Sequence, residues 1–190
     1  MTVAGVVLAA GSGSRFAASG GALPKALAVV RGTALVDHAL RAATGAGLDE
    51  VLLVDGAVDL TDRAAPGIVV LHNPRWADGL ATSLQVALAY AEAADHRAVV
   101  VGPVDQPGVG AEAWRAVAAA PDEPPVAVAT YDGRRANPVR LARAVWHLVP
   151  TSGDVGARAL MLERPDLVRE VPCTGEPWDV DTMEDLERWS

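Results

Sequence analysis

At 190 residues and 51% hydrophobic, the chain has enough apolar content for a sizeable core and too much for disorder. Its net charge of −8 argues against a general binder of nucleic acid or anionic membranes, which needs a basic surface. An anionic ligand would therefore need a local basic patch or a bound divalent cation. Val3 to Ala10 is a short, Val-rich run bounded by glycines, and it predicts a buried strand. The run empties into Gly11-Ser12-Gly13-Ser14-Arg15. Ala26 to Val30 predicts a short extended piece. Leu35, Val36, Ala39, Leu40 and Ala43 recur at helical spacing, and Gly45 and Gly47 end that helix. Val51 to Val54 and Ile68 to Leu71 predict buried strands, the second followed by the turn His72-Asn73-Pro74. Leu84, Ala87, Leu88 and Ala91 mark another helix, and Ala98 to Val101 another central strand. Trp114, Val117 and Ala118 predict a helix that stops before Pro121. Val126 to Thr130 and Ala136 to Val139 flank Asp132-Gly133, a hairpin signal. Helices are expected over Ala142 to Leu148 and Val155 to Leu162. Thr182 caps the last helix, with Glu184 and Asp185 in its first turn favouring the helix dipole.

Alternating strands and helices predict an α/β fold of three layers, a mostly parallel sheet covered on both faces. The hairpin adds a small antiparallel insertion near one edge. No linker or repeat interrupts the chain, so a single domain over 1–190 is expected. The single cysteine, Cys173, allows no internal disulfide and reads as a partly buried, inert thiol. No apolar run approaches a membrane span, and the first strand lacks the preceding Lys or Arg of a signal peptide. The expected compartment is the cytoplasm.

In open α/β sheets, ligands bind at the carboxyl ends of the strands. There the first strand delivers Gly11 and Gly13, which let backbone N–H groups approach a ligand, together with Arg15 and Lys25. A strand, a glycine turn and two cations suit a triphosphate. A plain glycine turn with solvated charges is the simpler reading of this segment alone. The dinucleotide fingerprint is absent, since Phe16 stands where its third glycine belongs, and so is the Gly-Lys-Ser/Thr of the ATPase loop. Asp105 follows the strand at Ala98 to Val101 and sits between Pro103 and Pro107, a stiff setting that suits a metal ligand. Asp179 and Asp181 alternate around Val180, so extended geometry sends both to one face. Such carboxylates repel unless a cation or basic group lies between them, and magnesium is the natural cation. The plainer reading has Asp181 merely assisting the N-terminus of the next helix. Thr82 or Ser83 could cap the helix after Gly79, where a base or phosphate can approach. Gly153-Asp154-Val155-Gly156-Ala157-Arg158 offers N–H donors, a carboxylate and a guanidinium together, or simply a cap and a surface Arg. The histidines show no metal-ligand spacing, and no Gly-x-Ser-x-Gly elbow is present.

Taken together, these segments resemble the nucleotidyltransferases that make molybdenum cofactor dinucleotides, and most of all the molybdopterin cytidylyltransferase group. The pieces are Leu8 to Arg15, Pro24-Lys25, Asn73 to Gly79, Ser83-Leu84, Asp105 to Pro107, Gly153 to Arg158 and Asp179 to Thr182. The loop with Trp76 and the piece with Arg158 are the most specific. The resemblance implies a Rossmann-like fold. It implies a nucleoside triphosphate on Leu8, Ala9, Ala10, Gly11, Ser12, Gly13 and Arg15, with Lys25 on the phosphates and Gly79 and Ser83 toward the base. It implies catalysis by Arg15, Lys25 and Asp105, and Mg2+ on Asp105 with Asp179 or Asp181. Ala10 and Asp105-Gln106-Pro107 favour CTP over GTP by the same resemblance. The acceptor, molybdopterin, would meet Trp76, Asn137, Asp154 and Arg158, and a molybdoenzyme would be the client. Asn137 replaces a frequent His, Met183 replaces a frequent Pro, and the loop holding Gly20-Gly21 is long. The long loop and Asn137 lie where an acceptor could be contacted, and a sugar phosphate, methylerythritol phosphate or phospholactate stays open as the acceptor. A non-catalytic module that binds nucleotide or cofactor is the remaining alternative.

Overall fold

The computed structural model describes residues 2–189. The strands are β1 (Thr2–Leu8), β2 (Val29–Val30), β3 (Thr33–Ala34), β4 (Glu50–Asp55), β5 (Ile68–His72), β6 (His96–Pro103), β7 (Val126–Tyr131), β8 (Arg134–Ala142) and β9 (Val168–Pro172). The helices are α1 (Ser14–Ala18), α2 (Leu35–Gly45), α3 (Leu80–Ala93), α4 (Ala111–Ala118), α5 (Gly156–Glu163) and α6 (Met183–Arg188). Seven strands form one sheet in the order β5-β4-β1-β6-β8-β7-β9, and β2 pairs with β3 in a separate hairpin. Within the large sheet β8 alone is antiparallel to its neighbours β6 and β7, while the other pairings are parallel. The fold is thus the expected mostly parallel, Rossmann-like sheet with an antiparallel insertion.

Period-two alternation splits the core into two layers. Val3, Val7 and Ala9 face a cluster built with Phe16 of α1, Leu35, Val36 and Leu40 of α2, and Trp114 and Val117 of α4. Ala4, Val6, Leu8 and Ala10 face the other cluster, with Leu84, Ala87 and Leu88 of α3 and Leu160 of α5. Because β1 is buried on both faces, its sequence reads as a continuous apolar run rather than an alternating one. The chain order places β4 on one side of β1 and β6 on the other. That is a topological switch point, where a crevice opens at the carboxyl ends of the strands.

Four elements differ from expectation. Residues 143–148 form a 3-10 segment rather than an α-helix. Pro150 disfavours helical geometry at Val149, which is extended at φ −72 and ψ 130, so the segment has no room to run on. The extended piece begins only at Val29, since Lys25–Leu27 is a 3-10 turn. The loop after β1 turns at once into α1, which buries Phe16. Strand β9 lacks a sequence signal because it is a half-exposed edge with no clean alternation, paired only to β7. At the last helix, Thr182 and Asp185 form a reciprocal capping box. Among the described residues no helix is long and apolar enough to cross a membrane.

Candidate active site

A cleft of about 550 Å³ opens at the carboxyl ends of β1 and β6. Leu8, Ala9, Ala10, Gly11, Ser12, Gly13, Arg15, Lys25, Gly79, Ser83 and Asp105 all line it, joined by Trp76, Asp154 and Asp181. Two glycines shape its walls. Gly13 adopts φ +65, and a Cβ there would fall 2.5 Å from the Lys25 Cβ. Gly79 adopts φ +107, and a Cβ there would strike the Gly153 backbone at 2.5 Å. That contact is reinforced by hydrogen bonds from Ala81 N–H to the Gly153 carbonyl, 2.9 Å, and from Gly153 N–H to the Asp78 carbonyl, 3.0 Å. The segment bearing Asp154 is therefore docked on the start of α3.

The cleft floor holds a compact charge cluster. Lys25 Nζ donates to Asp105 Oδ2 at 2.5 Å and to Asp181 Oδ1 at 2.7 Å. Arg15 Nη1 lies 2.8 Å from Asp181 Oδ2. Burial alone would depress the Lys25 pKa, but the two carboxylates outweigh it and raise the pKa above 10.5. Lys25 is thus a fixed positive charge, in contact with the walls of an anion-sized cleft. Asp105 Oδ1 is buried and has no hydrogen-bond partner. An unpartnered buried carboxylate oxygen is costly unless a cation or ligand completes it.

The basic group between acidic side chains is Lys25, and the acids it joins are Asp105 and Asp181. Asp179 is not among the cleft-lining residues and accepts from Gln106 Nε2 at 2.8 Å. Its pKa is raised, first by burial and then by the Asp105 charge. Buried Val180 lies between the two acids, its N–H bonded to the Asp105 carbonyl at 2.9 Å. Among the described residues no group of three or more His, Cys, Asp or Glu side chains is arranged to hold a metal. A divalent ion that also binds substrate phosphates needs only one or two carboxylates. Asp105, with its open oxygen, fits that requirement, while both Asp181 oxygens are paired with Lys25 and Arg15.

Asn137 and Arg158 are not among the cleft-lining residues. Asn137 lines a separate small void of about 10 Å³ with Gln106 and Trp114, and its carbonyl accepts from Tyr131 Oη at 2.9 Å. Arg158 is exposed on α5. Two contributors were given no site role by the sequence reading. Gly56 lets β4 end against the site, since a Cβ there would meet Trp76 Cβ at 2.7 Å and Ala10 Cβ at 3.0 Å. Asn73, 1% exposed, ties the end of β5 to α3 through Thr82 and Ser83. Its available signal was the Asn-Pro-Arg turn, where an Asn side chain commonly bonds a backbone N–H two residues on.

The family model described as the MobA-like NTP transferase domain matches residues 5–168. A curated protein named nicotine blue oxidoreductase, from Paenarthrobacter nicotinovorans, is 32% identical over 98% of this chain and 95% of its own length. The crystal structure of Rv0371c from Mycobacterium tuberculosis H37Rv superposes with a TM-score of 0.81 at 31% identity, covering 100% of this chain and 97% of that one. Rv0371c has also been crystallised in complex with manganese, and that structure matches with a TM-score of 0.77 at 31% identity, over 100% of this chain and 97% of the other.

Proposed function

Because this chain belongs to the MobA-like NTP transferase family, we propose that it transfers CMP from CTP to the terminal phosphate of molybdopterin, releasing pyrophosphate. The family makes it a nucleotidyltransferase; the base and the acceptor are the proposed parts. The observation that carries the reading is the cleft in which the Gly11–Arg15 loop meets Lys25, Asp105 and Asp181.

In the proposed reaction an acceptor phosphate oxygen attacks the α-phosphorus, and the bond to the pyrophosphate oxygen breaks. No enzyme nucleophile is needed. The obstacle is charge, since an anion approaches an anion and a more highly charged group departs. Lys25 and Arg15 stabilise that departing charge, and the loop N–H groups after β1 hold the phosphates in line. Magnesium held by Asp105, with Asp179 or Asp181, would neutralise phosphate charge. Trp76 offers a face on which a flat pterin stacks. Asp154 completes that wall. Asn137 and Arg158 lie beyond the cleft lining and contribute only if the acceptor extends past it.

The test is pyrophosphate release with magnesium and each of CTP, GTP, UTP and ATP, with and without molybdopterin. CTP-specific release that requires molybdopterin is expected. Release that instead requires another phosphorylated acceptor would replace molybdopterin and keep the chemistry. A second reading follows from the relative named as an oxidoreductase: the same cleft would take a nucleotide-bearing redox cofactor. Oxidation of NADH or NADPH by a dye acceptor, without pyrophosphate release from any triphosphate, would establish that reading.

A further inference from the structure

We propose that Asn73 is a positioning residue, which holds the Ser83 hydroxyl with its proton free to donate to an acceptor atom on the nucleobase. The inference rests on the reading that the cleft takes a nucleoside triphosphate.

The hydrogen-bond polarity follows from one contact. The backbone N–H of Arg75 donates to Asn73 Oδ1 at 2.9 Å. A backbone N–H can only donate, so the orientation of the Asn73 amide is settled. Both amide hydrogens then lie on Nδ2, which is 2.9 Å from Thr82 Oγ1 and 2.9 Å from Ser83 Oγ. Thr82 has protein acceptors for its own proton, the carbonyls of Gly79 at 2.8 Å and Arg75 at 3.0 Å. Ser83 differs. Its Oγ accepts from Asn73, and among the described residues its hydroxyl proton meets no acceptor. The side chain is 2% exposed and lines the cleft. A buried hydroxyl with one of its two lone pairs engaged and its proton unspent is poised to donate to whatever fills the cleft.

The location identifies the ligand part. Lys25 and the Gly11–Arg15 loop gather the cations and N–H groups that suit phosphates. Ser83 stands on α3, which packs on the opposite face of the sheet from α1 and α2. Gly79, Leu80 and Trp76, close to it in the chain, line the cleft with it. A planar base suits it, and a pyrimidine carbonyl supplies the acceptor.

Asn73→Asp keeps the shape and the acceptor for Arg75 N–H. Its carboxylate accepts instead of donating, so it draws the Ser83 proton away from the cleft. The experiment is a double-mutant cycle on CTP binding by calorimetry, with magnesium present, in the full chain. N73D and S83A are each expected to weaken CTP by about 5- to 10-fold, the usual worth of one such bond. The double variant should bind no more weakly than S83A alone. Additive losses would make Asn73 a mere scaffold and overturn the assignment, as would unchanged CTP affinity in S83A. Failure of the unaltered protein to bind any triphosphate would overturn the proposed function along with it. If N73D does not fold, the side-chain amide NMR signals of Asn73 serve instead. They should exchange slowly in the unaltered protein and shift in S83A, and fast exchange would overturn the polarity argument.

Discussion

Gly13 approaches Lys25 so closely that a Cβ on the glycine would stand 2.5 Å from the Cβ of the lysine. The glycine therefore does two things. It reaches φ +65, which opens the loop N–H groups toward the cleft, and it leaves the space through which Lys25 reaches Asp105 and Asp181.

Gly13→Ala should fail on both counts. Left-handed geometry costs a non-glycine residue about 1–2 kcal/mol, and that loss should appear in a denaturant titration. Displacing Lys25 should lower pyrophosphate release on the order of 100-fold. Gly11 provides the contrast, since a Cβ there meets nothing within 4 Å and its φ is not positive. Gly11→Ala should leave the unfolding midpoint unchanged. Equal destabilisation by the two substitutions would refute this account of the loop.

Asp105 is the next element to test. It holds Lys25 with one oxygen and leaves the other buried and unpartnered. Asp105→Asn keeps the size but removes the charge that balances Lys25 and would hold a divalent ion. Turnover should fall by about 100-fold or more, and chelation of divalent ions should abolish release in the unaltered protein. Release that continues unchanged in excess EDTA would remove the metal from the mechanism. Lys25→Ala should lose activity on a similar scale, because two carboxylates are then left facing each other without the intervening charge.

Much of this was legible in the chain, because the signals are local. The Val-rich run of β1 and the glycines after it mark strand and loop without any tertiary information. Asp105 was marked by its prolines and its place after a central strand. The pairing of Lys25 with Asp181 was not, since 156 residues separate them and only the fold brings them together. Two carboxylates spaced like Asp179 and Asp181 promise a common face, but the sequence does not show that Gln106 binds one while Lys25 and Arg15 hold the other. Asn73 was hidden for a related reason. Its turn is visible in sequence, but its amide serves residues on the next helix.

Cys173 gives a prediction away from the cleft. Burial raises its pKa above 9.0, against a smaller opposing effect of the Thr130 backbone. Only the thiolate reacts, so alkylation of the folded protein at neutral pH should be slower than that of a free cysteine. The rate should still be climbing when a model thiol has levelled off. Stability shows the same sign. A raised folded pKa means that the stabilisation is complete below the unfolded value and is lost as pH rises through the folded one. Cys173→Ser should retain pyrophosphate release. Rapid labelling at neutral pH, or loss of activity in the serine variant, would contradict an inert thiol.

Gly79 and Gly153 couple the two sides of the site, and the final prediction concerns that coupling. The backbones touch so closely that any side chain at Gly79 must push the segment carrying Asp154 away, and φ +107 adds strain of its own. The displaced segment belongs to the proposed acceptor wall, whereas Lys25, Asp105 and the glycine loop lie on other elements. Gly79→Ala should therefore raise the acceptor KM several-fold more than it raises the KM for the triphosphate. The phosphates stay anchored by Lys25 and Arg15, so nucleotide binding without acceptor should survive. Steady-state kinetics with each substrate varied in turn separates the cases. Equal increases in both constants would mean that Gly79 serves the base rather than the docking of the Gly153 segment.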